Sequence, residues 1–268
     1  MAEIHVGTMG WTYKDWVGSF YPGEMGQDNF LDFYCQVFSA LEIDSTFYFI
    51  PKPSVVSNWY ARTPSDFVFT AKMPKLITHE RHLMDCDELA ENFMVSIGLL
   101  GKKLGCVLIQ LPISFRQNHG TFDRVADFLA QLPTDDFRFA VEFRHPSWIS
   151  AEVFTLLGQQ SVAWAIQDSV GEMPICPQLT TNFSYIRWIG DSIDERIDHV
   201  GAPVVDRSHD LIRWSDRIKR DILPEVNALF CMFNNHYEGH APSSCNQMKR
   251  LLGLEAVDPD IGHQMSLF

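Results

Sequence analysis

The sequence is short of positive charge. Its 268 residues carry 21 Lys and Arg against 34 Asp and Glu, a formal net charge of −13. Such a surface does not attract nucleic acid or anionic lipid over a distance, so any grip on a polyanion must be local. No apolar run approaches the ~20 residues that a membrane-spanning helix needs. Met1 to Gly10 lacks a basic stretch followed by an apolar one, which predicts a chain without a secretory signal. The six cysteines include no Cys-x-x-Cys pair, which argues against structural zinc. Cys106 and Cys231 stand in apolar runs and read as small buried hydrophobes, so free thiols in a reducing cytoplasm are expected. A Gly-x-Ser-x-Gly elbow, a His-Glu-x-x-His pair and a P-loop are all missing.

What is present is ordinary globular material, with 46% apolar and 21% charged residues. That is enough for a large core. Eight short apolar runs predict buried strands at Ile4–Thr8, Leu41–Ser45, Phe67–Lys72, Cys106–Gln110, Phe139–Phe143, Val162–Ile166, Phe183–Trp188 and Leu229–Asn234. Helical periodicity fills most of the gaps, for example Leu89, Phe93, Ile97 and Leu100 on one face. Asp28, Ser54, Thr121 and Ser243 are the expected helix starts. The segment between Ile166 and Phe183 is rich in proline and polar residues, so the sixth helix is expected to be irregular or missing. Strands alternating with helices at this length predict an α/β fold, a single (β/α)8 TIM-like barrel, over residues 1–254. An open doubly wound sheet is the rival, but no Gly-rich turn follows the first strand. Residues 255–268 lack periodicity and read as a flexible tail.

In such barrels the chemistry sits at the C-terminal strand ends. Alternation along the strands points Glu42, Asp44, Lys72, Gln110, Glu142, Arg187 and Asn234 into the barrel, with Asp168 following the sixth strand. Buried ionisable groups are costly unless paired or used, so this ring is either a structural ion-pair layer or a ligand pocket. Lys72, Arg144 and Arg187 suit an anionic group such as phosphate. His79 and Arg81, with Lys75, follow the third strand and are expected to rim the same pocket. Trp11 and Tyr13, together with Trp16, Phe47 and Tyr48, crowd the first two loops and read either as loop packing or as a stacking wall for a ring.

These residues point first to an enzyme acting on a phosphate-bearing substrate, a nucleotide or nucleic acid, by hydrolase chemistry of the nuclease or phosphoesterase kind. Glu142 is the expected general base or metal ligand, with Asp44 and Asp168 as further catalytic carboxylates. Those three could hold a divalent Mg or Mn ion, although the cationic neighbours compete with that role. The alternatives are a non-catalytic anion- or nucleic-acid-binding barrel, and a metal-dependent enzyme of the sugar isomerase or lyase kind.

Several dispersed motifs occur in one order from about Val6 to Leu254. They are Gly7-Thr8-Met9-Gly10-Trp11-Thr12-Tyr13, Phe20-Tyr21-Pro22, Ser45-Thr46-Phe47-Tyr48, Lys72-Met73-Pro74, Thr78-His79, Gln110-Leu111-Pro112, Val141-Glu142-Phe143-Arg144-His145 and Phe233-Asn234-Asn235. In this the chain resembles the domain of unknown function 72 family, the YecE-like proteins. The resemblance implies a TIM-like barrel and assigns no reaction. Two departures stand out. Asp44 replaces an asparagine frequent in the family, and Arg187-Trp188-Ile189-Gly190 replaces an Arg-x-His-Gly. The acidic stretch Asp191 to Asp206 is expected to form a variant lid.

The sequence ends Gln264-Met265-Ser266-Leu267-Phe268, which resembles the peptide motif that binds the bacterial DNA polymerase sliding clamp. Leu267 and Phe268 suit an apolar pocket, Met265 a neighbouring one, and Gln264 can hydrogen-bond the rim. Such a tether would supply a local concentration near DNA that an acidic protein cannot gain by steering.

Overall fold

The computed structural model describes residues 2–169, 171, 173–190 and 197–259. Eight parallel strands close into a barrel in chain order. They are β1 (Glu3–Met9), β2 (Ala40–Ile43), β3 (Val68–Lys72), β4 (Leu104–Gln110), β5 (Phe139–Glu142), β6 (Val162–Ser169), β7 (Phe183–Gly190) and β8 (Ala228–Phe233). The helices are α1 (Phe30–Val37), α2 (Pro53–Arg62), α3 (Asp87–Ile97), α4 (His119–Ala130), α5 (Ala151–Gln159), α6 (Ser208–Arg217) and α7 (Ala241–Leu252). Among the described residues, no helix lies between β6 and β7, as the proline-rich composition there predicts. No helix among them is long and apolar enough to cross a membrane. The six cysteines are free thiols.

Period-two alternation sorts the strands into two faces. Outward residues such as Leu41, Ile43, Phe69, Val107, Ile109, Val141, Ile186 and Phe233 join the apolar layer under the helices. Inward residues such as Ala40, Ala140, Ala163, Ala165 and Ala228 are small, which leaves room for Leu108, Phe183, Tyr185, Phe230 and Met232. A side chain on Gly105 would lie 2.5 Å from Val68 and 2.6 Å from Phe230, so the bare backbone there makes room for the Phe230 ring. His5 stacks on Phe230 at 5.1 Å and closes the N-terminal end of the lumen. The barrel is therefore packed below and polar above.

Some helix starts differ from expectation. α4 is capped by Asn118, whose side chain accepts from the Thr121 amide while Thr121 bonds back to the Asn118 amide. Thr121 is thus the third helical residue of a reciprocal capping box, and the asparagine before it satisfies the orphan donor. α7 starts at Ala241, with Pro242 in its first turn, ahead of the expected Ser243. After α7 the chain turns at Gly253 and runs back along that helix. The Asn246 amide donates to the Val257 carbonyl at 2.9 Å, and Arg250 pairs with Asp258. Asp258 and Pro259 thereby lie beside Ser19 and Pro242, at the end of the molecule where the strands finish.

Candidate active site

Three buried charges organise the top of the lumen. Arg187, near the end of β7, is 2% exposed, and Glu42 on β2 and Glu142 on β5 are wholly buried. The Arg187 guanidinium grips Glu42 with both Nε (3.0 Å, to Oε2) and Nη2 (2.7 Å, to Oε1). Its Nη1 donates to Glu142 Oε2. Tyr185 donates its hydroxyl to Glu42 Oε2 at 2.7 Å and lies 2.7 Å from the Thr70 hydroxyl. Glu142 Oε1 accepts from Gln110 Nε2 at 2.8 Å and from Arg144 Nε at 2.7 Å. Arg187 Nη2 also touches the Met9 sulfur at 3.2 Å, and Asn234 Nδ2 lies 3.6 Å from the same sulfur.

Burial alone would raise the Glu142 carboxyl. The Arg187 and Arg144 charges, with the hydrogen bonds from both, outweigh it and hold it at about 2. Burial likewise opposes the Arg187 charge, and Glu142 and Glu42 overcome it and keep the guanidinium protonated.

Above this layer the groups are looser. Lys72 Nζ lies 3.6 Å from Asp44 Oδ1 and 4.3 Å above the centre of the Phe47 ring. Burial, reinforced by the Glu42 charge, lifts the Asp44 carboxyl to about 6. Burial also lowers Lys72. His79 packs edge-on against Phe47 at 4.9 Å and accepts or donates at Nδ1 with the Thr78 hydroxyl. Burial, then the Lys72 and Arg144 charges, lower it to about 4, so its ring is neutral near pH 7. His79 and Arg144 line one cleft, and His79 and Lys72 meet on the same Phe47 ring. A cleft of about 370 Å3 opens here, lined by His79, Arg144 and Gln167 with Ile113 and Met173 among the apolar residues. Arg144 is anchored in it through Nε, and its side chain stays 35% exposed.

Glu42, Asp44, Lys72, Gln110, Glu142, Arg144, Arg187, Asn234 and His79 thus converge on the barrel mouth. Asp168 does not. It lies within β6, one residue past the inward Gln167, so it faces outward and accepts from Trp214 Nε1 of α6 at 2.7 Å. The expected strand end at Ile166 hid this, because β6 continues to Ser169. Arg81 also departs from expectation: it is exposed, and its Nη1 donates to the Asp85 carbonyl within its own loop at 2.7 Å. Lys75 pairs with Glu80 at 3.2 Å. Trp11 packs edge-on against Trp59 at 6.0 Å, and Tyr13 bonds the Met9 carbonyl at 2.8 Å; both rings are half-buried. Gln167, Tyr185 and Met9 complete the layer; continuing the alternation along β6, β7 and β1 finds all three.

The metal expectation fails on geometry. Asp44, Glu142 and Asp168 do not converge, and Glu142 is pinned by two arginines. Among the described residues no cluster of three His, Cys, Asp or Glu could hold a metal ion. Of the expected lid, residues 191–196 lie outside the described residues. Residues 197–206 pack over the loops after β1 and β8, with Val200 N on Asp15 at 3.0 Å and Val205 N on the Glu238 carbonyl at 2.9 Å. The motif Gln264, Met265, Leu267 and Phe268 also lies outside the described residues.

The sequence profile described as Protein of unknown function DUF72 matches residues 5–265. The chain belongs to the DUF72 family. It is 33% identical to UPF0759 protein YecE from Escherichia coli over 171 residues, 62% of this chain and 59% of that protein. The chain therefore aligns with about three-fifths of that relative's length. UPF0759 protein YunF from Bacillus subtilis is 27% identical over 94% of this chain and 95% of its own. A solved DUF72 protein from Thermotoga maritima superposes with a TM-score of 0.81 at 28% identity, covering 94% of this chain and 99% of that one. The family description carries no reaction, so function must be argued from the mouth itself.

Proposed function

We propose that the barrel mouth is an enzyme site for a small phosphate-bearing substrate, with Arg144 and Lys72 as the anion-binding groups. The observation that carries this reading is the setting of Arg144. Its Nε is fixed on a buried, fully ionised Glu142, and among the described residues no other Arg144 nitrogen is engaged. The guanidinium is thus held at the cleft with donors to spare, which lowers the entropy lost on gripping a phosphate. Glu142 acts here as the positioning residue, because its oxygens are taken up by Arg187, Gln110 and Arg144 and it holds its proton only near pH 2. Asp44, lifted to about 6 and adjoining Lys72, is the carboxylate suited to exchange a proton near neutrality, as phosphoester hydrolysis requires. Titration with inorganic phosphate by calorimetry tests the reading. Arg144→Ala is expected to weaken binding by about tenfold, the loss of a charge-assisted bond. An unchanged affinity, or no saturable binding to the native protein, sinks it. A binding-only barrel is separated from an enzyme by turnover of phosphate esters, which Asp44→Asn should suppress while phosphate still binds.

The segment Gln264–Phe268 supports a second part of the proposal, a tether to the polymerase sliding clamp and with it a DNA-linked role. Its residues fit the motif, and the chain reaches Pro259 on the mouth side of the barrel. Purified clamp is expected to bind at micromolar affinity, ~8 kcal/mol. Replacing Leu267 and Phe268 together with Ala should abolish it; binding that survives the double change rules the tether out.

A further inference from the structure

Apolar side chains are exposed along one arc of the mouth. Tyr48 is 69% and Phe49 57% exposed in the loop after β2, and Leu76 and Ile113 are exposed in the loops after β3 and β4. These are neighbouring strands. The arc borders the polar cleft directly: Ile113 lines it, and Tyr48 stands against Phe47 at 5.3 Å, whose ring carries Lys72 on one side and His79 at its edge. The other aromatics of these loops are committed. Trp16 is wholly buried with its Nε1 on Asn235, and Trp11 and Tyr13 are fixed as described. Exposed aromatic surface beside two cations fits a ligand with a flat apolar part and an anionic part a short distance apart.

We infer that the mouth takes a nucleoside phosphate, with the base stacked on Tyr48 at the apolar arc and the phosphate on Arg144 and Lys72. The inference rests on the phosphate-binding reading above and adds the base subsite. Stacking on an aromatic side chain tolerates any base, because each presents a π-face. The net charge of −13 favours a single nucleotide or a strand end over a long polyanion. Phe49 and Ile113 would shield the edges of the stacked ring.

Adenosine 5′-monophosphate, ribose 5-phosphate and inorganic phosphate distinguish the two layers of the argument. The native protein should bind the nucleotide about tenfold more tightly than the sugar phosphate, the scale of one base–aromatic stack. Tyr48→Ala should bring that ratio near one, and Tyr48→Phe should restore it, because the ring and not the hydroxyl does the stacking. A ratio near one in the native protein, with phosphate still bound through Arg144, overturns the base subsite alone. A preference for the nucleotide that survives Tyr48→Ala also overturns it. Failure of all three ligands to bind overturns the phosphate reading and the base subsite together.

Discussion

Arg187→Met will destabilise the fold by about 3–5 kcal/mol, the range found when one partner of a buried ion pair is removed. The reason is the company Arg187 keeps. Glu42 and Glu142 are wholly buried and both are bonded to it. Without the guanidinium, Glu42 retains the Tyr185 hydroxyl, and Glu142 retains Gln110 and Arg144. Methionine fills much of the same volume, so the loss is electrostatic more than steric. The pH dependence provides the sharper signature. In the native protein Glu142 is held at about 2, below its ordinary 4.5. A lowered carboxyl contributes stability that is complete above the unfolded value and is lost as pH falls toward 2. In the variant the largest opposing charge is gone and burial, which raises the carboxyl, prevails. A raised carboxyl works the other way: its contribution is complete below the unfolded value and is lost as pH rises through the folded one. Urea unfolding at about pH 5 and about pH 8 should therefore show the variant weakest at the higher pH, with a steeper decline than the native protein. Combining Arg187→Met with Glu42→Gln and Glu142→Gln should recover most of the loss, since no buried charge is then left unpaired. A single variant as stable as the native protein at about pH 8 would mean that the three charges do not organise the lumen.

The barrel was legible because its signal is repetitive. Eight apolar runs separated by helical stripes leave few alternatives, and small inward residues such as Ala140, Ala163 and Ala165 do not interrupt the outward pattern that reports each strand. The charged layer was legible for the same reason: Glu42, Glu142 and Arg187 sit at inward positions of runs otherwise apolar, where a charge stands out. Two things were not. Strand length was misread at β6, where the polar Gln167, Asp168 and Ser169 look like a loop but pair with β7. One residue of phase then decided whether Asp168 faced the lumen or α6. Charge balance was the other. Alternation along the strands points Glu142 inward beside cations, but only the geometry shows that three donors engage its oxygens. That occupancy moves the proton-exchange role to Asp44, whose partner Lys72 holds it less closely. Loop orientation was equally closed to inspection of the sequence, since Arg81 and His79 are two residues apart and point to different surroundings.

Gly190→Ala should be nearly as damaging as the loss of Arg187, and for a backbone reason. Gly190 ends β7 three residues beyond Arg187, with φ of +72°. An added Cβ would lie 2.1 Å from the His236 carbonyl oxygen and 2.5 Å from the Tyr237 Cα. Left-handed backbone alone costs a non-glycine residue about 1–2 kcal/mol. The clash adds a displacement of about 1–3 kcal/mol, as in an overpacked core, because the atoms met are backbone and cannot rotate away. Those atoms belong to the turn after β8, where Asn234 accepts from the His236 amide and Asn235 holds Trp16 and the Ala241 amide. Pushing that turn outward would loosen the start of α7 and withdraw Asn234 from Met9. Gly18→Ala is the matched control. Its φ is +88°, yet nothing lies within 4 Å of its missing Cβ, so it carries the conformational term without the clash. Urea unfolding should place Gly190→Ala about 2–5 kcal/mol below the native protein and Gly18→Ala about 1–2 kcal/mol below it. Hydrogen exchange should quicken at Asn234 to Tyr237 in the first variant alone. Equal losses in the two would show that the close approach of β7 to the β8 turn contributes nothing, leaving only the left-handed backbone to explain the glycine.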